Sequence, residues 1–286
     1  MRRNLLETWD RFWFSPTDPL PMTLFRIWIG WYCLLTGISL APQLSFWFGK
    51  QGILSRETAR LLSPPPQIRL MDLLPPGDGW VVAFWALFML LSLFLMVGFC
   101  TRASAAGAYG MLLSMLNQNP GIFSGGEILL VIALFYLALA PSRGPTLPIW
   151  PRRMLQFQLM LMYACAAYWK LREPVWRSGA ALYYVTRLDA FQGFPVPFLF
   201  DHRWSLQALT WGTIAFEACF PLLVLFKKTR VPVLLAGALF HLGMDYALNI
   251  PLFQGVTLGY YLLFVPAEQW RALAERLASQ SKGRIT

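Results

Sequence analysis

The chain has 286 residues, of which 57% are hydrophobic and only 13% charged, well below the ~25% charged share of a soluble domain. This excludes an ordinary water-soluble globule, together with the collagen, coiled-coil, disulfide-rich and disordered classes, while the 16% aromatic share with 13 Trp suits side chains placed at membrane–water interfaces. The net charge of +10 does not argue for nucleic acid, because Lys and Arg fall between apolar runs and no basic helix is interleaved with stacking aromatics.

Residues 1–19 mix Arg2, Arg3, Glu7, Asp10 and Arg11 with Trp9, Phe12, Trp13 and Phe14, which reads as an interfacial amphipathic segment rather than a cleavable leader. Apolar runs follow at 20–41, 80–100, 103–116, 127–141, 154–170, 205–226, 231–249 and 252–266. They predict one all-α polytopic bundle over 20–266, with about eight transmembrane helices. A bilayer core needs ~20 helical residues, and several runs are shorter, so six to eight spans fit the pattern.

With eight spans, fourteen Lys and Arg fall on one side and eight on the other, and the eight all lie in the long segments 42–79 and 171–204. The positive-inside rule then makes both termini cytoplasmic, including the tail 267–286, and puts the long segments outside. The expected setting is a multi-pass protein of a bacterial inner membrane. Helical spacing broken by Pro and Gly in SFWFGKQGILSRETARLL and ALYYVTRLDAFQGFPVPFLF predicts short amphipathic helices capping the outer face. No internal repeat is visible, which disfavours a conventional secondary transporter. Cys33, Cys100, Cys165 and Cys219 fall one per apolar segment, without metal spacing, and no metal site is expected.

Ionisable groups within spans are costly and are therefore candidate functional residues. Arg26 stands near the start of the first span, as a snorkelling anchor or a partner for an anion. Glu217 lies near the middle of TIAFEACFPLL, paired with Arg26 or Arg102 or facing a polar cavity. Glu127 opens a helix, and capping alone accounts for it. His241 and Asp245, four apart, share a helix face on which the carboxylate would orient the imidazole. Lys170 ends the fifth span beside Tyr168, Trp169 and Trp176, where desolvation would favour a neutral amine able to act as a base. The turn LNQNPGIFSGGE offers Asn117, Gln118 and Asn119 as amide donors and acceptors, or it simply joins two helices.

Three motifs together resemble a known family: Gly98-Phe99-Cys100 with Arg102; Pro148, Trp150, Gln158, Tyr163, Lys170, Leu171, Trp176 and Gly179; and Phe240, His241, Met244 and Phe253. Their order and spacing are similar to the membrane domain of the vitamin K-dependent gamma-glutamyl carboxylases, within the horizontally transferred transmembrane (HTTM) family. The resemblance implies a reduced quinone as cofactor, a lipophilic site at the outer membrane boundary, and a peptide or protein substrate. It implies that Lys170 is the base that deprotonates the hydroquinone and that His241 is a second catalytic group. Asn119 stands where those carboxylases carry a histidine, so the catalytic set is Lys170, His241 and Asn119. Asn117, Trp169, Trp176, Tyr183, Glu217, Asp245 and Arg102 are then the quinone- or substrate-binding candidates. The alternative is a non-catalytic membrane protein that binds lipid or assists export or maturation of a partner.

Overall fold

Each apolar run folds as a helix, since a chain segment in an apolar surrounding has only its own backbone to satisfy its N–H and C=O groups. The computed structural model describes residues 2–62, 67–122, 124–250 and 252–282. Pro251, in the expected loop 250–251, and the last four residues of the expected tail lie outside them. In chain order the helices are α1 (Arg2–Phe14), α2 (Leu20–Leu40), α3 (Leu44–Phe48), α4 (Arg56–Leu62), α5 (Asp78–Val97), α6 (Thr101–Gln118) and α7 (Gly125–Leu139). There follow α8 (Trp150–Arg172), α9 (Pro174–Arg177), α10 (Ala181–Val185), α11 (Pro197–Phe200), α12 (Arg203–Leu223), α13 (Lys227–Ala247), α14 (Phe253–Tyr261) and α15 (Ala267–Lys282). Among the described residues the fold is all-α apart from a two-residue antiparallel pair, Pro16–Thr17 with Leu147–Pro148, and an isolated antiparallel bridge between Gln192 and Leu248.

Three stretches of the described residues are long and apolar enough to cross a membrane: Leu20–Phe48, Asp78–Val97 and Arg203–Leu223. At about 1.5 Å per residue, α5 spans about 30 Å, the thickness of a bilayer core. It exposes Trp80, Val82, Leu87, Leu90, Leu93 and Val97, an apolar surface that suits lipid and not water. The other five expected runs are helical but fall short by this measure. α7 is apolar but only 15 residues long, and α14 has nine residues. The helix α8 carries Arg152, Arg153, Lys170 and Arg172 at its ends, and α13 begins Lys-Lys-Thr-Arg.

The chain divides into two compact units, Met1–Arg153 and Met154–Thr286. In the first, α2 and α5 approach closely because α2 presents glycines seven residues apart. A Cβ on Gly30 would sit 2.8 Å from the Met96 Cα, and one on Gly37 would sit 2.1 Å from the Met89 Sδ; small residues are the usual means by which membrane helices come together. The Trp85 indole N–H donates to the Gly37 carbonyl at 2.8 Å. At the end of α5 the chain reverses through Gly98 (φ 88°) and Cys100 (φ 43°), left-handed conformations of the kind that close a helix. Arg26 lies here and donates to the Leu95 and Met96 carbonyls. It therefore neutralises a helix C-terminus.

The long connections fold into the expected short helices. In the first unit α3 packs on α5 and α4 on α6. The Ser114 hydroxyl accepts from the Met71 N–H at 3.0 Å. In the second unit α9, α10 and α11 pack along α12, and α12 packs on α13.

Candidate functional site

The second unit collects its buried polar side chains on helices that are otherwise apolar. On α12, Thr210, Thr213 and Glu217 are buried on one face at helical spacing. The threonine hydroxyls donate back to the Leu206 and Leu209 carbonyls, which leaves Glu217, 7% exposed, as the carboxylate facing inward. Its partner is Lys170 on α8. The Lys170 Nζ donates to both carboxylate oxygens, each at 2.7 Å, and lies 5.0 Å from the centre of the Trp176 ring, within range of a cation–π contact. This corrects one expectation: the partner of Glu217 is Lys170, while the Arg102 Nε donates to the Ala138 carbonyl.

Seven residues before Lys170 on the same face of α8, the buried Tyr163 begins a second polar group. Its hydroxyl lies 2.5 Å from His241 Nε2 and 2.6 Å from the Tyr261 hydroxyl, while His241 Nδ1 lies 2.5 Å from Gln254 Oε1. With Gln254 accepting, Nδ1 carries the hydrogen, and the Tyr163 hydroxyl, able to donate and to accept, bridges Nε2 and the Tyr261 hydroxyl. Both imidazole nitrogens are thus engaged. Phe216 and Phe220, which flank Glu217 on α12, hold the Tyr163 ring at centroid distances of 5.6 and 4.4 Å. Gly237 leaves room for the Tyr261 hydroxyl, which would stand 2.2 Å from a Cβ there.

The expected pairing of His241 with Asp245 is not formed. Asp245 is exposed, and the imidazole's partners come from α8 and from Gln254 on α14, a helix away. Tyr163, Gln254 and Tyr261 were missed as members of this group. The signal was present for Tyr163, which shares a buried face of α8 with Lys170, and for Gln254, an amide in a short apolar run.

The remaining candidates are distributed differently. Trp169 is 62% exposed, and the Tyr183 ring is covered by the Arg187 guanidinium at 3.9 Å, so of the three expected aromatic walls only Trp176 stands against Lys170. Asn117, Asn119 and Arg102 belong to the first unit. There the Asn117 amide donates to the Ile68 carbonyl at 2.9 Å. Asn119 is buried, donates to the Trp47 carbonyl at 3.3 Å, and accepts from the Gly121 N–H at 3.0 Å. Both amides fasten connecting segments to the end of α6, which accounts for them without a ligand. Glu127 forms a capping box with Ser124 at the start of α7, the role expected from its position.

Apolar helices with lipid-suited exposed faces and inward-facing polar groups define an integral membrane protein of the all-helical class. Residues 136–270 match the HTTM domain, the family that the sequence motifs resemble. The Lys170 and His241 motifs fall inside the matched stretch, whereas Gly98–Arg102 precedes it. No curated protein and no solved structure matches the chain.

Proposed function

We propose that this HTTM protein is a multi-pass, carboxylase-like membrane enzyme that draws on a reduced quinone, with Lys170 as the base. The observation that carries the reading is the Lys170–Glu217 pair. An ion pair held by apolar helices is costly to desolvate, and this one keeps one side open: the Lys170 side chain is 21% exposed and that of Glu217 only 9%. The residues suit a lipid-borne quinol, because a phenolic hydroxyl can reach Nζ while the Trp176 ring offers an apolar face beside it. When bound, the quinol supplies a weakly acidic hydroxyl and reducing equivalents. For catalysis Lys170 must first pass a proton to Glu217, and the freed amine then takes the substrate's hydroxyl proton at Nζ. Tyr163 and His241 hold the neighbouring face of α8 in register. In this reading all eight helices at the apolar runs cross the membrane, with both termini cytoplasmic and the Lys170 end of α8 outside.

The test is to purify the protein in detergent, identify any extracted quinone by mass spectrometry, and follow oxidation of added hydroquinone under oxygen. Turnover by the wild type that is lost in Lys170→Ala supports the reading. Absence of both quinone and turnover from folded protein sinks it. A second reading, a non-catalytic membrane protein that binds lipid or assists a partner, is favoured by one observation. Both carboxylate oxygens of Glu217 and both ring nitrogens of His241 already have partners inside the protein. A wild-type protein that is inactive but retains lipid through purification would select it.

A further inference from the structure

Two cavities in the second unit share a wall, and none of the groups at Lys170 lines either. The larger, about 450 Å³, runs among α10, α11, α12 and α13 and is walled by Leu182, Val196, Leu209, Leu239, Phe240 and Met244. Its size falls in the ~300–1,000 Å³ range of ligand sites. Of its polar atoms, the Thr186 and Thr213 hydroxyls already donate to the Leu182 and Leu209 carbonyls. A polar group entering it would lose its hydrogen bonds, so the cavity takes hydrocarbon.

The smaller cavity, about 310 Å³, is bordered by Gln192, Phe194, Asn249 and one charged residue, Asp245. Among the described residues Asp245 has no ion-pair or hydrogen-bond partner. Beside it the Phe194 and Tyr246 rings stack at 5.1 Å. The rim is held by backbone bonds, Phe194 N–H to the Tyr246 carbonyl at 2.9 Å and Asn249 N–H to the Phe191 carbonyl at 2.9 Å. An unpaired carboxylate beside aromatic rings is the chemistry that recognises an ammonium group. Tyr246 and Leu248 line both cavities, so the two adjoin.

We propose that the second unit binds an amphiphile whose aliphatic chain fills the larger cavity and whose ammonium head sits at Asp245, a description that fits an aminolipid of the bilayer. This deepens the lipid-binding reading by naming the headgroup, and it does not depend on whether Lys170 acts as a base.

The test is native mass spectrometry of the full chain in maltoside micelles, with phosphatidylethanolamine, phosphatidylglycerol of the same acyl chains, and a long-chain alkylamine added separately. The wild type should retain the ethanolamine lipid about tenfold more tightly than the glycerol lipid, the scale of one charge-assisted contact. Asp245→Asn should keep lipid binding and lose that preference. Gly243 lines the larger cavity, and a Cβ there meets nothing within 4 Å. Gly243→Leu should therefore fold normally and lose retention of both lipids. Lys170→Ala should keep the preference, separating this site from the quinone reading. Binding of the alkylamine as tightly as the lipid would identify the ammonium as sufficient, and weaker binding would make a bilayer lipid the source; either supports the site if Asp245→Asn abolishes the preference. Equal retention of both lipids by the wild type, a preference that survives Asp245→Asn, loss of the preference in Lys170→Ala, or a retained polyprenyl quinone in place of an aminolipid would overturn the proposal.

Discussion

The two units solve the same problem, holding helices together where apolar burial against lipid gains little, by different means. In the first, α2 and α5 are joined through glycines that let backbones touch, and the half-buried Arg26 is used to close a helix end. In the second, α8, α12, α13 and α14 are joined by the Lys170–Glu217 pair and by the chain Tyr261–Tyr163–His241–Gln254. Close packing needs only small residues and carries no chemistry. Polar junctions cost desolvation and put titratable groups inside the fold. The family match, residues 136–270, falls largely on the unit with the polar junctions.

The comparison is broken most directly at the ion pair. Lys170→Ala leaves a buried carboxylate unpaired and should cost about 3 kcal/mol of stability, near the low end for a broken buried pair because Lys170 is partly exposed. Adding Glu217→Gln should recover most of that loss, as read by unfolding in detergent; a double variant as unstable as the single one would show that the pair is not a unit. Next comes the glycine interface. Gly30→Ala drives a Cβ into the backbone at Met96 and should cost about 2 kcal/mol. Gly37→Ala should cost less, because the atom it meets is the swinging end of Met89. Equal losses at the two positions would contradict the packing described. Tyr163→Phe strips one partner each from His241 and Tyr261 and should cost about 1 kcal/mol, the usual scale of a hydrogen bond between membrane helices. Asp245→Asn, at an exposed carboxylate without a partner, should change stability by less than about 0.5 kcal/mol. A larger loss would mean that Asp245 holds the fold.

Much of the fold is legible from periodicity alone, because each helix is specified locally: the eight apolar runs are eight helices, residues 2–14 form the lead-in helix, and Glu127 caps α7. The partners of buried polar groups are not local. Glu217 finds Lys170 at a separation of 47 residues, and His241 turns from Asp245, its neighbour on the same helix, to Tyr163 and Gln254 on others. A four-residue spacing says which side chains share a face, but not which face points inward. Here Asp245 looks outward, and the carboxylate read as support for the imidazole is free for something else. Asn119 was singled out from the motif, and its burial and bonds to Trp47 and Gly121 depend on a fold that the motif does not encode.

The shortest regular element has a consequence out of proportion to its size. Pro16–Thr17 pair with Leu147–Pro148, and the Ile149 N–H donates to the Ser15 carbonyl at 3.1 Å, so the segment after α1 is matched by one about 130 residues later. A ribosome building this chain from its N-terminus releases the first strand long before the second exists. The first unit thus waits, its opening segment unpaired, until residue 149 emerges. Nascent chains arrested before that point should leave residues 15–17 open to protease, and chains arrested beyond it should not.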